Sequence, residues 1–321
     1  MVRLTRRAVV AGAIAAPFGA RAQTPSVIKI IVPFPPGGSV DAIARLVQQG
    51  LQQRLGATIV IENKSGASGS IGAAQVAKSL PDGATWLFVF DTHAVNPSLQ
   101  PSMPFDSEKD LDPVLLIGTA PNVLAAHPSR PWKSLSEVIE AAKAKPDTVS
   151  FASIGTGSLG HLTMALLGKR AGVRWTHVPY RGGGPAMNDA IAGHVDMIIG
   201  SAALVTTQIK AGALRGIVQT GTERLPNLSD VPTAIESGFE KFESYAWWGV
   251  YAPAGTPKPM IDKFGEALTA SLKEERVAKQ VAEAQQITMT LGGPEQLRAF
   301  FIEQMRIWGA VVRENNIKAE G

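Results

Sequence analysis

Downstream of residue 27 the chain alternates short apolar runs with stretches in which apolar residues recur every three to four positions. The run 28–32 reads as a buried strand, and 40–55 carries Ile43, Leu46, Val47, Leu51 and Leu55 at helical spacing before Gly56, a C-terminal stop. Strands are expected over 58–62 and 85–90, and a helix over 71–79 capped by Ser70. Residues 91–97 read as a loop, and 98–113 as irregular, broken by Pro101, Pro104 and Pro113. Two further strands, 114–118 and 122–126, would carry the chain into a second lobe. There the pattern repeats: helix 135–144, strand 149–152, helix 162–171, strand 174–178, a helix with Pro185 at its first position, strand 197–199, helix 203–211 and strand 214–219. The tail predicts a returning strand over 245–252, helices over 258–272 and 274–285, a strand over 287–291 and a helix over 294–315.

Two βαβαβ blocks imply an α/β protein whose sheets are mainly parallel and flanked by helices. The expected division is one lobe from 23–122 with 250–321 and another from 123–249. In parallel sheets the loops that follow the strands gather on one edge, where ligands bind. Two such edges facing across a cleft describe a hinged binding protein.

The strand-to-helix loops carry the candidate chemistry. In Pro33-Phe34-Pro35-Pro36-Gly37-Gly38-Ser39-Val40-Asp41 the prolines end the strand, the glycines permit close approach of backbone to a ligand, and Ser39 is the expected N-cap. Free N–H groups at a helix N-terminus suit a carboxylate or phosphate. Comparable loops follow at 63–70, 91–97, 153–161, 179–185 and 200–202. Arg181 and Lys64 are their only cations, so a mono- or dicarboxylate is expected rather than citrate. His161, in the first turn of a helix, is either a neutral donor to a ligand oxygen or a brace for its own loop. Asp91 either accepts from a ligand amine or supports a loop.

Composition alters this picture at one end. Arg3, Arg6 and Arg7, the apolar stretch 8–16 and Ala20-Arg21-Ala22 read as a secretory signal cleaved near Ala22, and the Arg6-Arg7 pair suggests the twin-arginine type. The chain has 31 Lys+Arg against 27 Asp+Glu. Four of the arginines lie in this segment, so the mature protein is near neutral and no nucleic-acid partner is expected. There is no Cys, which excludes disulfides and a thiolate nucleophile. The five His are scattered without metal-binding spacing. Gly155-x-Gly157-x-x-Gly160 matches a dinucleotide fingerprint, but no acid follows at the end of the next strand; Arg181 there could meet the 2′-phosphate of NADP, which export argues against, so the loop is read as an anion site without a nucleotide and no cofactor is expected. No G-x-S-x-G elbow is present. Besides the receptor, an exported enzyme using His161 as acid or base, and a ligand sensor docking to a signalling protein, remain as readings of the same cleft.

The order and number of these loops resemble the Bug (Bordetella uptake gene) family, extracytoplasmic receptors of tripartite tricarboxylate transporters, over about 25–321. The markers are the 33–41 stretch, Glu62-Asn63-Lys64-Ser65-Gly66-Ala67, Pro81-Asp82-Gly83, His93-Ala94-Val95-Asn96-Pro97, Gly155-x-Gly157 with His161-Leu162, His177-Val178-Pro179-Tyr180-Arg181-Gly182, Val231-Pro232-Thr233 and Trp248-Gly249 with 252–257. The resemblance implies a type II-like Venus-flytrap fold, a periplasmic location, no catalysis, and a partnership with membrane permease subunits; the receptor itself is expected to be a monomer. It further implies a small carboxylate held by main-chain groups and ordered water near Pro35, Pro36, Gly37, Gly38 and Ser39. Its other contacts map onto Ala67, Ser68, Gly69, Thr92, Asn96, Ser153, Gly155, Thr156, Gly157, Ser158, His161, Tyr180 and Arg181. Two positions depart from the family: Thr163-Met164-Ala165-Leu166 follows His161 where an acid is common, and Asp91 stands where a neutral residue is usual.

Overall fold

The first strand, β1 (Val27–Val32), is apolar at most positions because both its faces are covered: Ile28 and Ile30 enter one core and Ile31 another. The computed structural model that shows this describes residues 24–100 and 102–318; the expected export signal lies outside them. β1 pairs in parallel with β2 (Thr58–Asn63) and β3 (Thr85–Phe90). Their crossovers are α1 (Ser39–Leu55) and α2 (Ser70–Ala77). After β3 come α3 (Thr92–Leu99) and β4 (Leu111–Ala126).

A second block follows: α4 (Leu135–Ala144), β5 (Ser150–Ser153), α5 (Leu159–Ala171), β6 (Thr176–Pro179), α6 (Gly183–Ala192), β7 (Met197–Ser201), α7 (Ala202–Lys210) and β8 (Arg215–Gln219). The chain returns through β9 (Tyr245–Pro253) and ends with α8 (Lys258–Leu272), α9 (Glu275–Glu283), β10 (Thr288–Gly292) and α10 (Pro294–Glu314). The strands are ordered β2-β1-β3-β9-β4-β7-β5-β6, with β10 and β8 also on β4. β4 joins the two halves of this two-lobed α/β fold. Its residues 111–121 pair with β9, and its residues 122–126 pair with β7 and β8. At the junction Asn122 donates to Thr220 and Ser244, and Thr163 reaches Ser244, all buried. α10 packs on α3 in one half and reaches α5 in the other, where Lys169 pairs with Glu314 at 2.6 Å. Among the described residues no helix is long and apolar enough to cross a membrane.

Several local expectations are corrected. Residues 114–118 and 122–126 belong to one 16-residue strand. The strand begins at Leu111 and takes in Pro113 where the register shifts between Pro113 and Leu115, and between the two expected strands Pro121 is the last residue paired to β9. Residues 92–99 are a helix despite Pro97, held by its packing on α10. Ser39 is not the N-cap of α1; Gly38 is, and no side chain caps it. Instead the Asp41 carboxylate reaches back to the Gly37 N–H at 2.9 Å, which fixes the loop before the helix and leaves the N–H groups of its first turn uncapped. Ser70 likewise opens α2 rather than capping it, and its hydroxyl turns to the Ala67 carbonyl. α5 starts at Leu159 rather than 162 because Ser158 caps it by accepting from the His161 N–H. α6 begins at Gly183, so Pro185 is its third residue, still within the turn where a missing N–H costs nothing.

Candidate functional site

The 33–38 loop is held by one carboxylate. Asp41, 3% exposed, accepts from Gly37 N and Arg45 Nε through one oxygen and from Asn63 Nδ2 through the other. Burial pushes its pKa up, but hydrogen bonds from Arg45, Gly37 and Asn63 outweigh that and leave it below the usual carboxylate range. Asn63 also donates to the Phe34 carbonyl, tying the end of β2 to the loop. The first backbone bond of α1 runs from Ala42 N to Gly38 O, so the N–H groups of the opening turn have no acceptor within the helix.

The neighbouring loop is built against this one. Ala67 and Ser68 take positive φ, and Gly72 lets α2 lie directly on Pro33, since a Cβ there would sit 2.8 Å from the proline side chain. The Ser68 carbonyl accepts from Thr92 Oγ1 and Asn96 Nδ2, and the Ala67 carbonyl from Gln100 Nε2. Asn96 and Gln100 thus serve as fasteners for the loop.

In the other half, Ser153 Oγ bonds to Gly155 and lies 2.7 Å from His177 Nε2. The His161 ring stacks on His177 with centroids 3.8 Å apart, and its Nδ1 accepts from the Gly157 N–H. Nδ1 therefore carries no proton, and His161 braces its own loop through that atom. Burial lowers His177 to a pKa of about 4.

These loops border one cavity of about 630 Å³. From the first half it is lined by Phe34, Pro35, Pro36, Gly37, Gly38, Ser39, Val40, Ser68, Phe90 and Thr92. From the second it is lined by Ile154, Gly155, Thr156, Ser158, Gly182, Gly183, Gly184, Ser201, Ala203 and Leu204, with Gln285 from the tail. The N-cap residues of four helices, Gly38 of α1, Ser158 of α5, Gly182 of α6 and Ser201 of α7, are all among them. No ionisable side chain lines it among the described residues. An equally large groove beside Trp86 and Phe264 is mostly apolar and has no such convergence of helix ends.

Of the sequence candidates, Pro35, Pro36, Gly37, Gly38, Ser39, Ser68, Thr92, Gly155, Thr156 and Ser158 line this cavity. Ala67, Gly69, Asn96, Ser153, Gly157 and His161 are off the lining, Asn96 within α3, Ser153 at the end of β5 and His161 within α5, and they brace the segments that border it. Tyr180 turns away: its hydroxyl donates to Asp189 at 2.7 Å, and burial together with that carboxylate pushes its pKa up to about 12. Arg181 is exposed, off the cavity lining, and has no ion-pair partner among the described residues. Lys64, the other loop cation, faces Glu62 at 3.6 Å. Phe34, Phe90, Ile154, Ala203, Leu204 and Gln285 were not singled out. Phe34 and Phe90 were findable as residues at the carboxyl ends of parallel strands; Gln285, brought in from a distant tail, had no local signal.

The fold and the cleft define a two-lobed solute-binding protein. The chain belongs to the tripartite tricarboxylate transporter family of receptors, whose model matches residues 43–317. It is 37% identical to BugT of Bordetella pertussis over 307 residues, covering 95% of this chain and 94% of that one. An R. palustris protein solved with adipate superposes with a TM-score of 0.82 at 30% identity, covering 92% and 98% of the two chains. MatC of Rhodopseudomonas palustris, with bound malate, gives 0.77 at 32%, covering 89% and 98%.

Proposed function

We propose that this receptor captures a small mono- or dicarboxylate in the cavity between its lobes and delivers it to the membrane permease subunits of a tripartite tricarboxylate-type transporter. It acts as a monomer without catalysis, cofactor or metal, after export and cleavage near Ala22. The lobes we assign are 23–122 with 250–321, and 123–249; the pairing of Tyr245 with Pro121 favours a second crossing closer to 244. The observation that carries the reading is the meeting of four helix N-caps from both halves at one cavity without charged walls. Unsatisfied N–H groups and the positive ends of helix dipoles favour an anion there. Phe34, Phe90, Ile154 and Leu204 supply an apolar middle that suits a hydrocarbon body between polar ends. Relatives solved with adipate and malate support the same class.

The test is a thermal-shift and calorimetry panel on the chain beginning after Ala22, with adipate, malate, benzoate, glutamate and glucose. A ligand at 100 times its Kd adds about 2.7 kcal/mol of stability, which the melt resolves readily. Response to carboxylates but not glucose is expected. A response to glucose with none to any carboxylate would refute the reading.

A further inference from the structure

We infer that Trp248 is a positioning residue for the binding cleft, and that it acts through the Ser39 hydroxyl. The inference rests on the proposed anion site but concerns a side chain that does not line it.

Trp248 is 1% exposed and sits in β9, paired on one side with Phe90 of β3 and on the other with Gly118 of β4. Its ring packs against Phe90 at 5.1 Å, and Phe90 in turn meets Phe34 edge-on at 6.3 Å. The indole is therefore held by the sheet and by the aromatic wall of the cleft. Its Nε1–H donates to Ser39 Oγ at 3.1 Å.

Ser39 is the first residue of α1 and lines the cavity, and its side chain does no capping. A hydroxyl has one proton and two acceptor positions. The indole can only donate, so it fills an acceptor position and turns the Ser39 proton away from itself. Among the described residues no protein group accepts that proton. What remains is the cavity, beside the unbonded N–H groups of the first turn of α1. Trp248 thus makes Ser39 an oriented donor to an anion. Without the indole, the hydroxyl is free to rotate and to donate elsewhere.

A double-mutant cycle with adipate as the probe tests this. The variants are Ser39→Ala, Trp248→Phe, which keeps an aromatic ring but no N–H, and the pair. Losing one oriented hydrogen bond to a charged ligand weakens binding by about tenfold. Trp248→Phe is expected to cost a large part of that in the wild-type background and almost nothing in Ser39→Ala, while Ser39→Thr, which keeps the hydroxyl, largely restores wild-type affinity. Equal losses in both backgrounds, or no loss on Trp248→Phe, would overturn the inference. Should Trp248→Phe fail to fold, the indole proton of Trp248 is followed by NMR in the wild type and in Ser39→Ala. Faster solvent exchange in Ser39→Ala is expected, and unchanged exchange overturns the contact. If adipate and the rest of the carboxylate panel fail to bind the wild type, the proposed function falls and takes this inference with it. Binding with independent losses removes the inference alone.

Discussion

Replacing Asp91 by Asn should stabilise the protein at neutral pH and leave it unchanged in acid. Asp91 lies between β3 and α3, 3% exposed, with Oδ1 lacking any hydrogen-bond partner and no capping bond to the helix. Burial raises its pKa well above the ordinary value of 3.8, and the Thr92 N–H offsets this only in part. The folded state thus holds the proton more tightly than the unfolded chain does. Stability from this group is complete below 3.8 and falls as pH rises toward the folded pKa, by about 1.4 kcal/mol per pH unit. Asn has nearly the same shape and no proton to lose. Wild type and variant should therefore coincide near pH 4 and diverge above it, with the variant ahead. A stability difference of about 1 kcal/mol moves Tm by about 2–4 °C in a chain approaching this size. The assay is urea unfolding at half-unit steps from pH 4 to 8. An offset that is the same at pH 4 and pH 8, or a variant less stable throughout, would refute the reasoning.

The adjacent His93 should impose the opposite slope: it is buried among Phe105, Tyr251 and Phe301, and burial lowers it to about 3, so stability is full above 6.5 and is lost as pH falls from 6.5 toward 3. His93→Phe, stacking in the same place, should flatten that acid limb in the same urea series. Ser134 caps α4 by accepting from Glu137 N at 3.3 Å, and Ser134→Ala should cost about 1 kcal/mol in urea unfolding. Gly157 has φ +77° and faces Leu99 of the other half so closely that a Cβ would overlap Leu99 Cδ1; Gly157→Ala should lower stability by about 1–3 kcal/mol and weaken carboxylate binding as measured by calorimetry. Arg181→Ala should leave carboxylate affinity unchanged in the same titration, because the side chain lies off the cavity lining.

Most of the scaffold was legible because its signals were local. β3, α4 and α8 fall where the apolar spacing put them, bounded by clear turn residues. The departures share a cause: a local breaker was overruled by tertiary contact. Pro97 reads as a stop, yet α3 continues through it, with Thr92 and Asn96 bonded to the Ser68 carbonyl and α10 against its face. Pro113 reads as part of an irregular stretch and 114–118 and 122–126 as separate strands, yet β4 runs from Leu111 through both because its pairing is irregular at Pro113 and changes partner after Pro121. Ser39 and Ser70 read as caps by residue type, but Asp41 had already satisfied the loop before α1, which freed Ser39 for Trp248, 209 positions away.

The site was legible as loops and obscure as side chains, and the reason lies in how an anion can be held. A search by residue type looks for cations, and the two that the loops supply are placed elsewhere: Lys64 toward Glu62, and Arg181 toward solvent. What the cavity lining brings together is the N-cap residues of four helices, and main-chain N–H groups at helix starts are supplied by any sequence. Only their arrangement is informative, and it depends on β4 and β9 bringing two parallel edges together. A neutral donor lining has a further consequence. A lysine or arginine in the wall would have to shed its own water to take an anion, whereas N–H dipoles at helix ends are already fixed by the backbone. Under the proposed function, selectivity rests less on charge than on the apolar residues of the lining, Phe34, Phe90, Ile154 and Leu204.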